Sequence, residues 1–206
     1  MFSTLPRTKS LRCFVEQNLK QQNRMKLKLL FFLFLVYNLN AQNTDLVEKD
    51  SLKTKSIELF RKIYWNRLPK PVSWTNDYEN LFSDVEQTKL DSIISKFEKE
   101  TTIEISIVTI DTIKTSKEKF EDLTLHFAQT WKIGKAEKEN GILIGISKGY
   151  RRIRIQNGYG IEKIITDEET KKIIEKSFLP DFKKGEYYKG TINGLLEIIR
   201  VLKSKT

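Results

Sequence analysis

Apolar residues change their period several times along this chain, and each change marks an element. Leu90, Ile93, Ile94 and Phe97 recur at helical spacing behind Ser83 and Glu86, a capping box, so a helix is expected from about Asp84 to Glu100. The period then drops to two. Ile103, Ile105 and Ile107 alternate with Glu104 and Ser106 and run on through Val108 and Ile110, as a strand does. Thr115 and Glu118 offer a second capping box, and Phe120, Leu123, Phe127 and Trp131 line one face of a helix that ends at Gly134. Ile142 to Ile146 is a short β-branched run suited to a buried strand. Ser147 to Tyr150 supply a turn in which Gly149 is free to take positive φ. Ile153 and Ile155, alternating with Arg152, Arg154 and Gln156, complete a hairpin. Thr166 and Glu169 form a third capping box, ahead of Ile173, Ile174, Ser177 and Phe178, with Pro180 as the stop. A last helix, about Glu186 to Leu202, is expected to bury Ile192, Leu195, Leu196, Ile199 and Leu202. This order predicts an α/β fold: a three-layer α/β/α sandwich with a small mixed β-sheet covered by helices on both faces.

Upstream of Pro71 the pattern is patchier. Leu46, Leu52, Ile57, Leu59, Phe60 and Ile63 suggest a loosely docked or mobile helix over 45–65, and Pro69 and Pro71 mark an extended linker. The expected organisation is a linker at 42–72 and a folded domain at 73–203. Before them, Met25 to Lys28 form a basic n-region, Leu29 to Tyr37 an apolar core, and Asn38 to Ala41 a cleavage region. Nine apolar residues are too few to span a bilayer. The segment 1–41 therefore reads as an upstream extension plus a signal peptide that starts at Met25 and is cut after Ala41. The mature chain is expected in the periplasm or outside the cell, without a transmembrane anchor.

That cut lowers the net charge from +10 to +4 and alters the cysteine content. It removes seven Lys/Arg and one Glu, leaving 30 basic against 26 acidic residues, and it takes away Cys13, the chain's one cysteine. Disulfides, thiolate metal sites and cysteine nucleophiles are thereby excluded. A net charge of +4 shows no nucleic-acid footprint.

The chemistry concentrates where the hairpin brings two polar corners together, Glu139-Asn140-Gly141 and Asn157 to Gly160. Glu139, Asn140 and Asp167 can gather oxygens of the kind calcium takes. Against this, Asp167 equally suits the first turn of its helix, facing the positive dipole end, and Glu139 equally suits a solvated loop. His126, alone between Leu125 and Phe127, reads as structural. Arg151, Arg152 and Arg154 read as a wet strand face. Gly158-Tyr159-Gly160 lacks both the Lys-Ser/Thr of a P-loop and the strand-helix context of a dinucleotide site.

Six motifs in order carry a resemblance: Asn76-Asp77-Tyr78, the capped helix with Glu98-Lys99-Glu100-Thr101 before the first strand, Trp131-Lys132-Ile133-Gly134, Glu139-Asn140-Gly141, Asn157-Gly158-Tyr159-Gly160 and Thr166-Asp167. Over about Ser73 to Leu202 the chain resembles the TPM domain, a family of thylakoid-lumen, photosystem II repair and bacterial YgcG-type membrane proteins. The resemblance implies an α/β/α sandwich, an acidic crevice for a divalent cation such as calcium, and an acid phosphatase activity known from plant members. It also implies that Asp77 joins Glu139, Asn140 and Asp167 in that crevice. Topology argues otherwise for Asp77. If the first two strands are parallel, as helical crossovers usually make them, Asp77 and Glu139 start at opposite sheet edges. Two departures stand out: Glu139 replaces the family's usual Asp, and the chain stops at Thr206 without the transmembrane helix and glycine-rich tail of many bacterial relatives. The functional expectation is an exported cation-binding module that docks onto envelope or membrane-protein assemblies. The alternative is a metal-dependent acid-phosphatase-like hydrolase, weakened by the lack of a nucleophile-base pair.

Overall fold

The computed structural model describes residues 49–205 together with Lys28 and Phe32; the expected start at Met25, the cut after Ala41 and Cys13 lie outside them. Its centre is one four-stranded sheet in the order β1 (Thr75–Asp77), β2 (Glu104–Thr109), β3 (Gly141–Ser147) and β4 (Arg152–Asn157). The first three strands are parallel. β4 folds back antiparallel on β3, pairing Ile155 with Ile144 and Asn157 with Ile142, so the hairpin forms as its alternation predicts. The spacing does not predict β1, because three residues hold too little pattern to register.

Side-chain alternation along β2 assigns the two faces. Ile105 and Ile107 share a core with Leu90, Ile94 and Phe97 of α2 (Asp84–Thr101) and with Leu195, Ile198 and Leu202 of α7 (Tyr187–Lys205). Val108 and Ile110 point the other way, to Phe120, Leu123 and Phe127 of α3 (Phe120–Trp131). The result is the expected α/β/α sandwich, with β3 buried along its whole length. Since α2 and α3 cross between successive parallel strands on opposite faces, the two crossovers have opposite hand. One of them departs from the usual right-handed rule.

A further helix, α1 at residues 49–66, precedes the sheet, and the compact unit runs from Ile57 to Thr206. From Ile57 onward α1 packs against α3. Tyr64 meets the Phe127 ring edge-on at 6.3 Å, Trp65 stacks on His126 at 4.2 Å, and Arg61 donates to the carbonyls of Thr112 and Ile113. His126 is thus structural, its Nε2 2.8 Å from the Trp65 carbonyl oxygen. Trp131 Nε1 donates to Pro69 O and anchors the proline segment as well.

Several local expectations need correction. The first and third capping boxes form at Ser83/Glu86 and Thr166/Glu169, but Thr115 and Glu118 cap nothing: α3 starts later, at Phe120, without a side-chain cap. In the β3–β4 turn positive φ falls on Arg151, not Gly149; Gly149 is needed because a Cβ there would sit 2.4 Å from the Thr112 methyl. Pro180 does not stop a helix. The helix opening with α5 (Asp167–Ile173) widens into a π-turn at Ile174–Phe178, and Pro180 lies in the first turn of α6 (Leu179–Phe182), where its missing N–H is harmless. On α7 the buried stripe is Thr191, Gly194, Leu195, Ile198 and Leu202, while Leu196 is 47% exposed. Ile192 and Ile199 are half-buried against the same core, and the Phe178 ring lies where a Gly194 side chain would stand, so only a glycine lets α7 pack this closely there.

Candidate functional site

The N-terminal edge of the parallel strands is built mostly from backbone. β3 enters the sheet at Gly141, where a Cβ would come within 2.1 Å of the Ile133 carbonyl oxygen. A Cβ on Gly160 would come equally close to Lys138 O. Two glycine-bearing corners therefore pack main chain on main chain, held by Gly158 N donating to Gly141 O and Gly160 N to Glu139 O. Gly158 starts a four-residue helix, α4 (Tyr159–Glu162). The 132–140 loop takes left-handed conformations at Lys132, Gly134 and Glu139, which cost a side-chain-bearing residue of order 1–3 kcal/mol each. Asn140, buried, closes the loop: Oδ1 accepts from Lys135 N at 2.9 Å, and Nδ2 donates to Thr102 O at 2.7 Å. Glu104 completes the brace by accepting from Gly134 N. Thr102, Glu104 and Lys135 were not singled out in the sequence, because their partners are far along the chain or are main-chain atoms.

Above this floor lies a groove of about 610 Å³ between α3 and the start of α4, rimmed by Lys132, Lys135, Glu139, Tyr159 and Glu162. Among the described residues the side chains of these five make no hydrogen bond or ion pair, and Tyr159 is 69% exposed.

The four expected cation ligands do not converge. Glu139 stands at this edge, exposed and uncommitted. Asn140 lies beside it with both ends of its amide engaged. Asp167 is exposed at the first position of α5, and no hydrogen bond joins it to Glu139. Asp77 is at the opposite edge. It pairs with Thr109, which pairs with Ile146 near the far end of β3, about 20 Å from Asn140 at ~3.3 Å per residue. The topological objection to Asp77 thus holds. Its two carboxylate oxygens accept from Thr109 Oγ1 at 2.6 Å and Phe82 N at 2.8 Å. Glu79 accompanies it there, accepting from Lys148 N at 2.8 Å, so that it clasps the β3–β4 turn. Burial pushes the Glu79 carboxyl up, the two turn amides pull it down, and the neighbouring Asp111 and Asp77 charges add to the rise; the balance is upward. Among the described residues no group of three or more His, Cys, Asp or Glu is placed to hold a metal ion. Likewise, among the described residues no helix is long and apolar enough to cross a membrane.

Set beside known proteins, residues 75–201 match the sequence profile described as the TPM domain. Among solved structures, the N-terminal domain of a protein from P. gingivalis aligns at 27% identity with a TM-score of 0.58, over 64% of this chain and 82% of that one. The BA42 protein of the psychrophilic bacterium Bizionia argentinensis shares the fold at 21% identity and TM-score 0.54, over 62% and 86% of the two chains. No curated protein matches the sequence.

Proposed function

This chain belongs to the TPM domain family, and we propose that it is an exported, non-enzymatic binding module of the cell envelope whose partner seats in the groove between α3 and α4. One observation carries the reading. The groove floor is closely packed main chain, braced by Asn140 and Glu104, while the charged and aromatic side chains around it have no hydrogen-bond or ion-pair partner among the described residues. Braced main chain under uncommitted polar groups suits recognition, since their donors and acceptors are available to a partner and the floor itself needs no ordering; each charged side chain held by the partner costs about 0.5–1.5 kcal/mol. Lys132 and Lys135 face acceptors of the partner, Glu139 and Glu162 face its donors, and Tyr159 offers an apolar ring with a polar tip.

The hydrolase alternative gains no support from these residues. His126, on α3, is stacked on Trp65 and bonded to its carbonyl, and among the described residues no serine, threonine or cysteine lines the groove. Calcium does not fit the four implied ligands as they stand, because only Glu139 and Asp167 keep free carboxylates. Two measurements test the proposal together. A photo-crosslinking amino acid at Tyr159 is expected to capture an envelope protein in living cells of the native host, whereas one at Leu196, on α7 of the other layer, captures none. Purified chain is expected to leave phosphomonoesters intact with calcium, magnesium or chelator. Equal adducts at both positions, or metal-dependent turnover, would sink the reading.

A further inference from the structure

A second cavity, of about 720 Å³, lies at the opposite end of α3 from the groove, between α1 and the loop that leads into α3. It falls within the usual size of small-molecule sites. Arg61, Lys62, Lys114 and Lys119 line it, against only Glu58 and Asp122. Among the described residues none of these six makes an ion pair, although elsewhere Lys205 pairs with Glu169, Lys189 with Asp181 and Glu186, and Arg200 with Glu197. Four cations facing two carboxylates leave an excess of two positive charges in one concavity.

The cations are also positioned. Arg61 is fixed by donating from Nε and Nη2 to the carbonyls of Ile113 and Thr112, which leaves Nη1 without a partner. Lys114 Nζ is held over the Phe60 and Tyr64 rings at 4.8 and 4.7 Å. Thr115 and Ser116 line the same wall with hydroxyls engaged locally, Thr115 Oγ1 donating to Ser116 O and Ser116 Oγ accepting from Lys119 N, and α3 begins there with no side-chain cap on its first-turn amides. Trp65, stacked on His126, forms an aromatic wall.

We propose that this cavity binds a phosphate monoester, its phosphoryl group among Arg61, Lys62, Lys114 and Lys119 and its carbon body against Trp65. A phosphate monoester carries roughly −1.5 to −2 charge near neutral pH, which matches the excess. A guanidinium and ammonium groups are the donors that phosphoryl oxygens favour. The phosphoryl group has two sources, a soluble monoester or the headgroup of a phosphatidic-acid-type lipid. This site is independent of the groove and stands or falls without it.

The test uses the full chain and two probes. Phenyl phosphate is titrated while amide and indole NMR shifts are followed, with phenol as the neutral control. Vesicles of phosphatidylcholine with and without phosphatidic acid are used in flotation. The expected result is saturable shifts at Trp65, Ser116 and Lys119 with phenyl phosphate, or flotation that requires phosphatidic acid; the first identifies the soluble source, the second the lipid. Lys62→Glu combined with Lys119→Glu, both at exposed positions, should weaken binding by tenfold or more, since a charged hydrogen bond is worth about 1.5–3 kcal/mol. The matching Arg pair should retain it. No response to either probe, undiminished binding by the Glu pair, or equal binding of phenol would overturn the proposal.

Discussion

Asn140 shows what a residue's chemistry leaves open. Its motif was legible in the sequence, and so was its place at a glycine-bearing corner. Its role was not, because Thr102 lies 38 positions upstream and only the fold makes them neighbours. Oxygen donors look alike in a sequence whether they face an ion or a backbone amide. Glu79 makes the same point at the other edge: nothing local marks it, yet it bridges to a turn 69 residues later. Its carboxyl is raised above the ordinary 4.5 first by burial, so its contribution to stability is present below that value and is lost as pH rises through the folded-state pKa. Glu79→Gln keeps one acceptor for the turn amide and removes the charge. Urea melts from pH 4 upward should therefore show the parent losing stability relative to the Gln variant as the carboxyl ionises. Parallel curves would mean that Glu79 is not strained by its surroundings.

At the scale of elements, what was legible tracks what is local. Capping boxes at Ser83 and Thr166 and the alternation of the β3–β4 hairpin all report contacts within a few residues, and they form as read. On α7 the expected stripe forms except at Leu196, which is exposed, while Gly194, to which hydropathy gives no weight, is buried against Phe178. α1 raises a related difficulty. Its pattern is patchy because it docks on one side only, through Arg61, Tyr64 and Trp65, with Leu59 and Ile63 left exposed. Removing residues before Ile57 should leave the thermal midpoint nearly unchanged. Removing those before Pro71 should lower it sharply, because Tyr64 and Leu68 leave the core around Phe127 and Trp131, and each large apolar side chain buried is worth about 1.5–3 kcal/mol. Equal midpoints for the two truncations would show that α1 adds nothing to the fold.

For the whole molecule, the parallel strands set two edges about 20 Å apart, and the acidic residues are divided between them. Thermal melts with calcium and with chelator should coincide for the parent, and Asp167→Asn should cost only the first-turn dipole contribution of about 0.3–1 kcal/mol in both. A calcium-dependent rise abolished by Asp167→Asn would restore the site at α5; a rise that survives it but is lost in Glu79→Gln would place the ion at the far edge. The sheet's outer strands have another consequence, for solubility. An open four-stranded sheet presents two rows of unpaired backbone groups to any other strand that passes. β1 limits its row by being only three residues long, and β4 sets Arg152 and Arg154 along its own. A chain crowded among identical copies would thus find a stub on one side and, on the other, two large cationic side chains turned toward Lys117 and Glu121, a combination that leaves little flat edge for another strand to join.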